Sequence, residues 1–179
     1  MLDFKGKEGC YGLTESLESA GCTVMWVDNA PVCRDEGAAQ AVIDAYDTLA
    51  YARGVKWLEI QALRDSRKFE GVNVGAYRFH TDADSRTQYL GLKDQGRDVL
   101  AAGGAMTDVL TKFGQPVTWK TMGGVWVPMT IQLAFDVVAA VGDLDALVFV
   151  AAVTYAGQTA GMTDYDALLA LDVSAGWPA

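Results

Sequence analysis

The sequence predicts an α+β fold: two short β-hairpins, forming a small antiparallel sheet, packed on three main helices, with a less regular N-terminal extension. Three observations predict it. Residues 72–79 and 117–129 hold apolar and polar side chains in strand-like order around glycine-containing turns, as half-buried hairpins do. Residues 37–69 and the stretch from Thr81 to Gly103-Gly104 repeat apolar side chains at three- and four-residue steps, as helices do. Residues 131–153 are apolar nearly all round, so the helix they form is expected to be buried on most sides.

In chain order, residues 1–36 form the extension and residues 37–179 the main α+β domain. Gly6, Gly9, Gly12 and Gly21 punctuate the extension, and Thr14 to Ser19 read as a helical turn or two. Cys22 to Val27 read as a strand, Asp28 to Pro31 as a turn and Val32-Cys33 as a short return. Asp35 stands at a helix N-cap. Val42, Tyr46, Leu49 and Ala50 share one helical face, and Gly54 is expected to divide or kink the helix, since glycine costs about 1 kcal/mol there relative to alanine. Beyond it Val55, Leu58 and Ala62 share one side. Arg53, Lys56, Arg64, Arg67 and Lys68 occupy the remaining, solvated surface, partly neutralised by Glu59, Asp65 and Glu70. Arg64 and Arg67 are also the residues that could anchor an acidic partner.

A Gly75-Ala76 turn pairs Val74 with Tyr77 and Val72 with Phe79. Thr81 is the expected cap of the next helix, with Asp84 as its acidic partner. Tyr89, Leu92 and Val99 line that helix up to its stop at Gly103-Gly104. Met106 to Phe113 read as a short turn of helix ended by Gly114. In the second hairpin a Gly123-Gly124 turn places Trp126 opposite Thr121 and diagonal to Trp119 on one face. Pro128 closes the strand, Thr130 caps the long helix, and residues 164–178 read as a short segment plus an extended tail.

Composition narrows the function classes. Fourteen Lys+Arg against 23 Asp+Glu give a net charge of −9, which repels phosphate backbones, so nucleic acid is not an expected partner. A single histidine, His80, excludes mechanisms that need two imidazoles. No apolar run follows Lys5 and Lys7, so a secretory signal is not expected. Asp136, Asp143 and Asp145 interrupt the most apolar segment, Thr130 to Met162, so it is not expected to be a membrane span. Cys10, Cys22 and Cys33 are odd in number and fit reduced thiols.

No catalytic, cofactor-binding or metal-binding residue is assigned. His80, Asp82, Asp84 and Ser85 have the residue types of a nucleophilic cluster or an Asp-x-Asp metal site, but adjacent residues at a helix start more readily cap it. The three cysteines with His80 match a Cys3His zinc set in type but lack its paired spacing. The two Gly-Gly pairs lie outside any phosphate-loop motif and read as turns. Trp119, Trp126 and Tyr77 could stack on a glycan; cross-strand packing is the commoner use of such rings.

Several runs, in order, resemble the DUF4376 family of tailed bacteriophages and prophages. They are Ala41–Asp47, Arg64–Val72, Phe79-His80-Thr81-Asp82 continuing to Arg86, Trp119-Lys120-Thr121-Met122 continuing to Thr130, and the tail Val173–Pro178 with its Gly176-Trp177-Pro178. The resemblance covers about residues 40–178. It implies a non-enzymatic structural or adaptor component of a phage tail, at a tail tip, baseplate or fibre attachment. Its expected partners are other tail proteins and further copies of itself, in the host cytoplasm during assembly and in the virion tail afterwards. A tail-fibre assembly chaperone absent from the virion and a receptor- or glycan-binding module are the alternatives. The mean hydropathy of +0.12 suits a chain that buries surface against partners.

Overall fold

The computed structural model describes residues 2–7, 10, 12–28 and 30–178; the turn position Asn29 and the extension's Gly9 lie outside them. Among the described residues the fold is α+β, as expected, with helices and short antiparallel hairpins. Four hairpins occur among the described residues, each a separate two-stranded pair: the two expected in the main domain, the strand and return expected in the extension, and one at residues 111–116 that was not expected. Contacts divide the chain into two compact units, one of residues 1–59 and 157–172, the other of residues 60–156 and 173–179.

In the first unit, α1 (Leu13–Ser19) buries Leu13 and Leu17, and Cys22 N–H returns to the Leu17 carbonyl to end it. Strands β1 (Val24–Val27) and β2 (Ala30–Cys33) pair with Val24 opposite Cys33. Asp35 caps α2 (Glu36–Ala45) as expected, accepting from Ala38 N–H at 2.9 Å. Leu2, Phe4, Leu13, Leu17, Ala39 and Ile43 make the core of this unit, with Cys22 beside them.

The helical break is not at Gly54. It falls at Tyr46, whose ψ of 119° is extended, and Asp47 caps the following helix by accepting from Ala50 N–H. That helix, α3 (Thr48–Arg67), runs through Gly54 without interruption. Its buried positions are Ala52, Lys56 and Ile60, whereas Val55 and Leu58 are exposed, so the expected face is on the wrong side. Lys56 is tolerated there because its ammonium reaches Glu59 Oε2 at 2.8 Å and the Leu171 carbonyl at 2.9 Å. Arg53 is not a free solvated charge either. It donates to the Thr159, Ala160 and Met162 carbonyls, at and just beyond the end of α5 (Ile131–Gly161). Asp164 caps α6 (Tyr165–Ala170), the short segment foreseen in the tail.

In the second unit, β3 (Val72–Val74) and β4 (Tyr77–Phe79) pair in the predicted register, Val72 with Phe79 and Val74 with Tyr77. Gly71, before β3, has φ +97°. A Cβ there would meet the Phe79 carbonyl at 2.8 Å and Met122 Sδ at 2.3 Å, so only glycine fits without displacement. Helix α4 (Ala83–Ala101) is capped by Asp82 and not by Thr81. Thr81 is fully buried and its hydroxyl accepts from Gly71 N–H at 3.0 Å, so it holds the strand entrance instead. Gly103 and Gly104 end α4 through bonds to the Leu100 and Val99 carbonyls, as foreseen.

Residues 106–113 are not a helical turn. Thr111–Lys112 (β5) and Gln115–Pro116 (β6) form a hairpin closed by Phe113 and Gly114, both at positive φ, 52° and 75°. Such a turn favours Asn-Gly, and a phenylalanine in left-handed backbone costs roughly 1 kcal/mol. The sequence signal was therefore hidden by a residue unsuited to its position.

Strands β7 (Thr118–Lys120) and β8 (Trp126–Pro128) form the second expected hairpin with a different register. Trp119 pairs with Val127 and Lys120 with Trp126, not Thr121 with Trp126. Thr121 accounts for the slip. Its N–H and hydroxyl both donate to the Val125 carbonyl and its hydroxyl accepts from Val125 N–H, which closes a five-residue loop. One residue of slip sends alternate side chains to opposite faces. Val127 is buried and Trp119 half-buried on one face, while Trp126 stands on the other.

Thr130 caps α5 by accepting from Leu133 N–H, as expected. Phe79, Tyr89, Leu110, Met129, Ile131, Val137 and Val148 form the centre of this core. At the tail, Trp177 Nε1 donates to the Val173 carbonyl and its ring stacks on Tyr155, whose hydroxyl donates to the Ala175 carbonyl. The Gly-Trp-Pro run is thus a clasp on α5.

Candidate interaction surface

Of the cluster His80, Asp82, Asp84 and Ser85, the structure brings Asp82 and Ser85 together. Asp82 Oδ1 accepts from Ser85 N–H at 2.9 Å and Oδ2 from the Ser85 hydroxyl at 2.7 Å, so the pair forms a helix cap and not a nucleophile with its base. These bonds, with a smaller contribution from His80, hold the Asp82 carboxyl below its usual range. Its folded-state pKa is depressed, so the cap's contribution is present at neutral pH and lost as pH falls through that value. Asp82→Ala is expected to cost about 1 kcal/mol at pH 7. In urea unfolding repeated at pH 3, the gap between variant and wild type should narrow; an unchanged gap would refute the assignment.

The three thiols are unpaired. Cys22 is buried, Cys10 and Cys33 half-buried, and all three pack in the first unit's apolar cluster. Burial pushes the Cys22 thiol up, and Cys33 and Asp35 act in the same direction. No group of three His, Cys, Asp or Glu that could hold a metal ion occurs among the described residues. The basic flank is partly neutralised by its acidic neighbours, as expected: Arg64 pairs with Asp65, Arg67 with Glu70 and Lys68 with Asp65, all partly exposed to solvent.

Of the three rings considered for stacking, Trp119 and Trp126 do not share a face, and Tyr77 stands exposed on the β3–β4 hairpin. Trp119 lies against Tyr89 with ring centroids 4.5 Å apart, while Trp126, on the opposite face, is 63% exposed. The Tyr89 hydroxyl is buried without a hydrogen-bond partner, and burial pushes its phenol up.

Sequence reasoning missed Arg86. From the first turns of α4 it donates to the Thr81 carbonyl at 2.6 Å, the Lys68 carbonyl at 2.8 Å and Asp145 Oδ2 at 2.7 Å. One guanidinium thereby joins the end of α3, the start of α4 and the middle of α5. No spacing rule announces such a contact, since its partners are 18 and 59 residues away.

The clearest unmet demand is apolar. Helix α5 was expected to be buried on most sides, yet Leu147, Phe149, Val150 and Val153 are 53–60% exposed. From residue 146 to residue 163 no Asp, Glu, Lys or Arg interrupts the chain. By length and composition α5 is also long and apolar enough to cross a membrane. Its other face is committed to the core, with Ile131, Ala134, Val137, Leu144 and Val148 buried. An uncharged, half-exposed row of large aliphatic and aromatic side chains on a packed helix fits an interface.

A family model described as "Domain of unknown function (DUF4376)" matches residues 51–174. No curated protein and no solved structure matches the chain.

Proposed function

The chain belongs to the DUF4376 family, and on that premise we propose that it is a non-enzymatic structural or adaptor component of a bacteriophage tail, built into a homo-oligomer and seated against other tail proteins. The phage setting rests on the ordered motifs quoted above. The observation that supports a protein partner is the uncharged exposed row Leu147, Phe149, Val150 and Val153 on α5. A partner that covers it removes apolar area from water at roughly 25 cal/mol per Å². A glycan-stacking module has weaker support, because Trp119 is committed to Tyr89 and faces away from Trp126.

Mass spectrometry of purified particles, with copy number scaled to the major tail proteins, tests the proposal. A small stoichiometric multiple is the expected result. Presence in infected-cell lysate but not in particles would overturn the structural role and put the assembly chaperone in its place. Recovery in the membrane fraction, resistant to carbonate washing, would overturn both and assign α5 to the bilayer.

A further inference from the structure

Two of the three thiols meet at the open end of the β1–β2 hairpin. Val24 stands opposite Cys33 in that pair. Cys22 lies two residues before Val24, so its side chain falls on the same face and is the diagonal neighbour of Cys33. Both pack in the apolar cluster built on Leu13, Leu17 and Ile43. Burial holds the Cys22 thiol protonated, and Cys33 adds to this both by its charge and by a side-chain hydrogen bond, with Asp35 acting the same way. The two sulfur groups therefore stand within reach of one another.

The pair differs in access. Cys22 is 2% exposed, whereas Cys33 is half-buried. A reagent in solution meets Cys33 first, and the buried, protonated Cys22 is left to react second. Cys22 also precedes the first paired residue, Val24, so drawing its sulfur onto Cys33 breaks no strand pairing. Cys10 is the competing thiol. It lines a cavity of about 330 Å³ together with Cys22, but comes from the segment ahead of α1, with no strand pairing to set its distance.

We propose that Cys22 and Cys33 form a redox-sensitive staple, a disulfide that closes across the open end of the β1–β2 hairpin when the chain meets a low-molecular-weight disulfide. The Cys33 thiolate attacks one sulfur of that disulfide, which forms a mixed disulfide and releases one small thiolate. Cys22 then gives its proton to solvent, and its thiolate attacks the Cys33 sulfur and expels the second small thiolate. The two protein thiols lose two electrons, and the small disulfide takes them up to become two thiols. The new bond ties the entrance of β1 to the residues that lead into α2, two positions before the Asp35 cap. The staple is independent of the tail role proposed above, and neither depends on the other.

The test equilibrates the full chain in mixtures of reduced and oxidised glutathione, alkylates the remaining thiols and maps them by mass spectrometry. Chymotrypsin cuts after Tyr11 and Trp26 and so places the three cysteines on separate peptides. A peptide linked through Cys22 and Cys33, with Cys10 alkylated, is the expected product. Its equilibrium constant against glutathione should be at least about tenfold larger in the folded chain than in the chain unfolded in urea, because the hairpin holds the two thiols together beforehand. Cys10→Ser should leave the link unchanged. Three alkylated thiols at every glutathione ratio, a mixed disulfide on Cys33 that never closes, or a main link through Cys10 would each overturn the staple. An equal constant in the folded and unfolded chains would overturn it too, since any two cysteines so close in sequence would then pair as well.

Discussion

Arg86→Ala is expected to lower the unfolding free energy by about 3 kcal/mol, or roughly 10 °C in Tm for a chain of this size. The side chain makes three charge-assisted bonds, to the Thr81 and Lys68 carbonyls and to Asp145 Oδ2. Removing a donor to a shielded carbonyl costs about 1.5–3 kcal/mol. The Asp145 pair adds less, because the Arg86 and Asp145 side chains are 21% and 41% exposed and water screens them. Arg86→Lys should recover under half of the loss, since one ammonium on a flexible stem cannot serve three acceptors in the guanidinium's planar fork. Urea unfolding followed by circular dichroism measures both variants. A loss below 1 kcal/mol for the alanine variant would mean that the three segments are held by packing alone.

Phe79→Ala is expected to cost about 3–5 kcal/mol. The ring is fully buried, meets Tyr89 edge-on at 6.3 Å, and ends the β3–β4 hairpin opposite Val72. Truncation leaves a cavity that Tyr89 cannot fill, because its own ring is packed against Trp119. Trp126→Ala is the contrasting variant. That ring is larger but faces solvent, so its loss should change stability by no more than about 0.5 kcal/mol. If both cost the same, the hairpin register would be the predicted one, with Trp126 turned to the core.

Much of the fold was legible because the relevant signals are local. Asp35 and Thr130 cap helices where their side chains reach the next free N–H, and Gly75-Ala76 sets the β3–β4 register through a two-residue turn. Misreadings arose where a local signal had a competitor. Gly54 is a weak helix breaker and lost to Asp47, whose carboxylate starts a new helix one residue after the extended Tyr46. Gly123-Gly124 suggested a tight turn, but the Thr121 hydroxyl made a wider loop more favourable. Thr81 has a capping side chain that the core claimed first.

The candidate surface was less legible than the fold. A helix apolar on all sides reads the same whether the outward side meets its own core or a partner, and only the burial of Val137 and Val148 beside the exposure of Phe149 and Val150 separates them. The sequence by itself determined the α+β class, most helix ends, one hairpin register and the family. These follow from side chains acting on backbone a few residues away. Tertiary structure decided that Lys56 is buried and Leu58 exposed, that Trp119 and Trp126 face apart, that Arg86 joins three segments, and that Phe113 projects from its turn. Each of these depends on partners distant in sequence, or on the choice between two faces that differ by one residue of register, and periodicity alone carries no information about either.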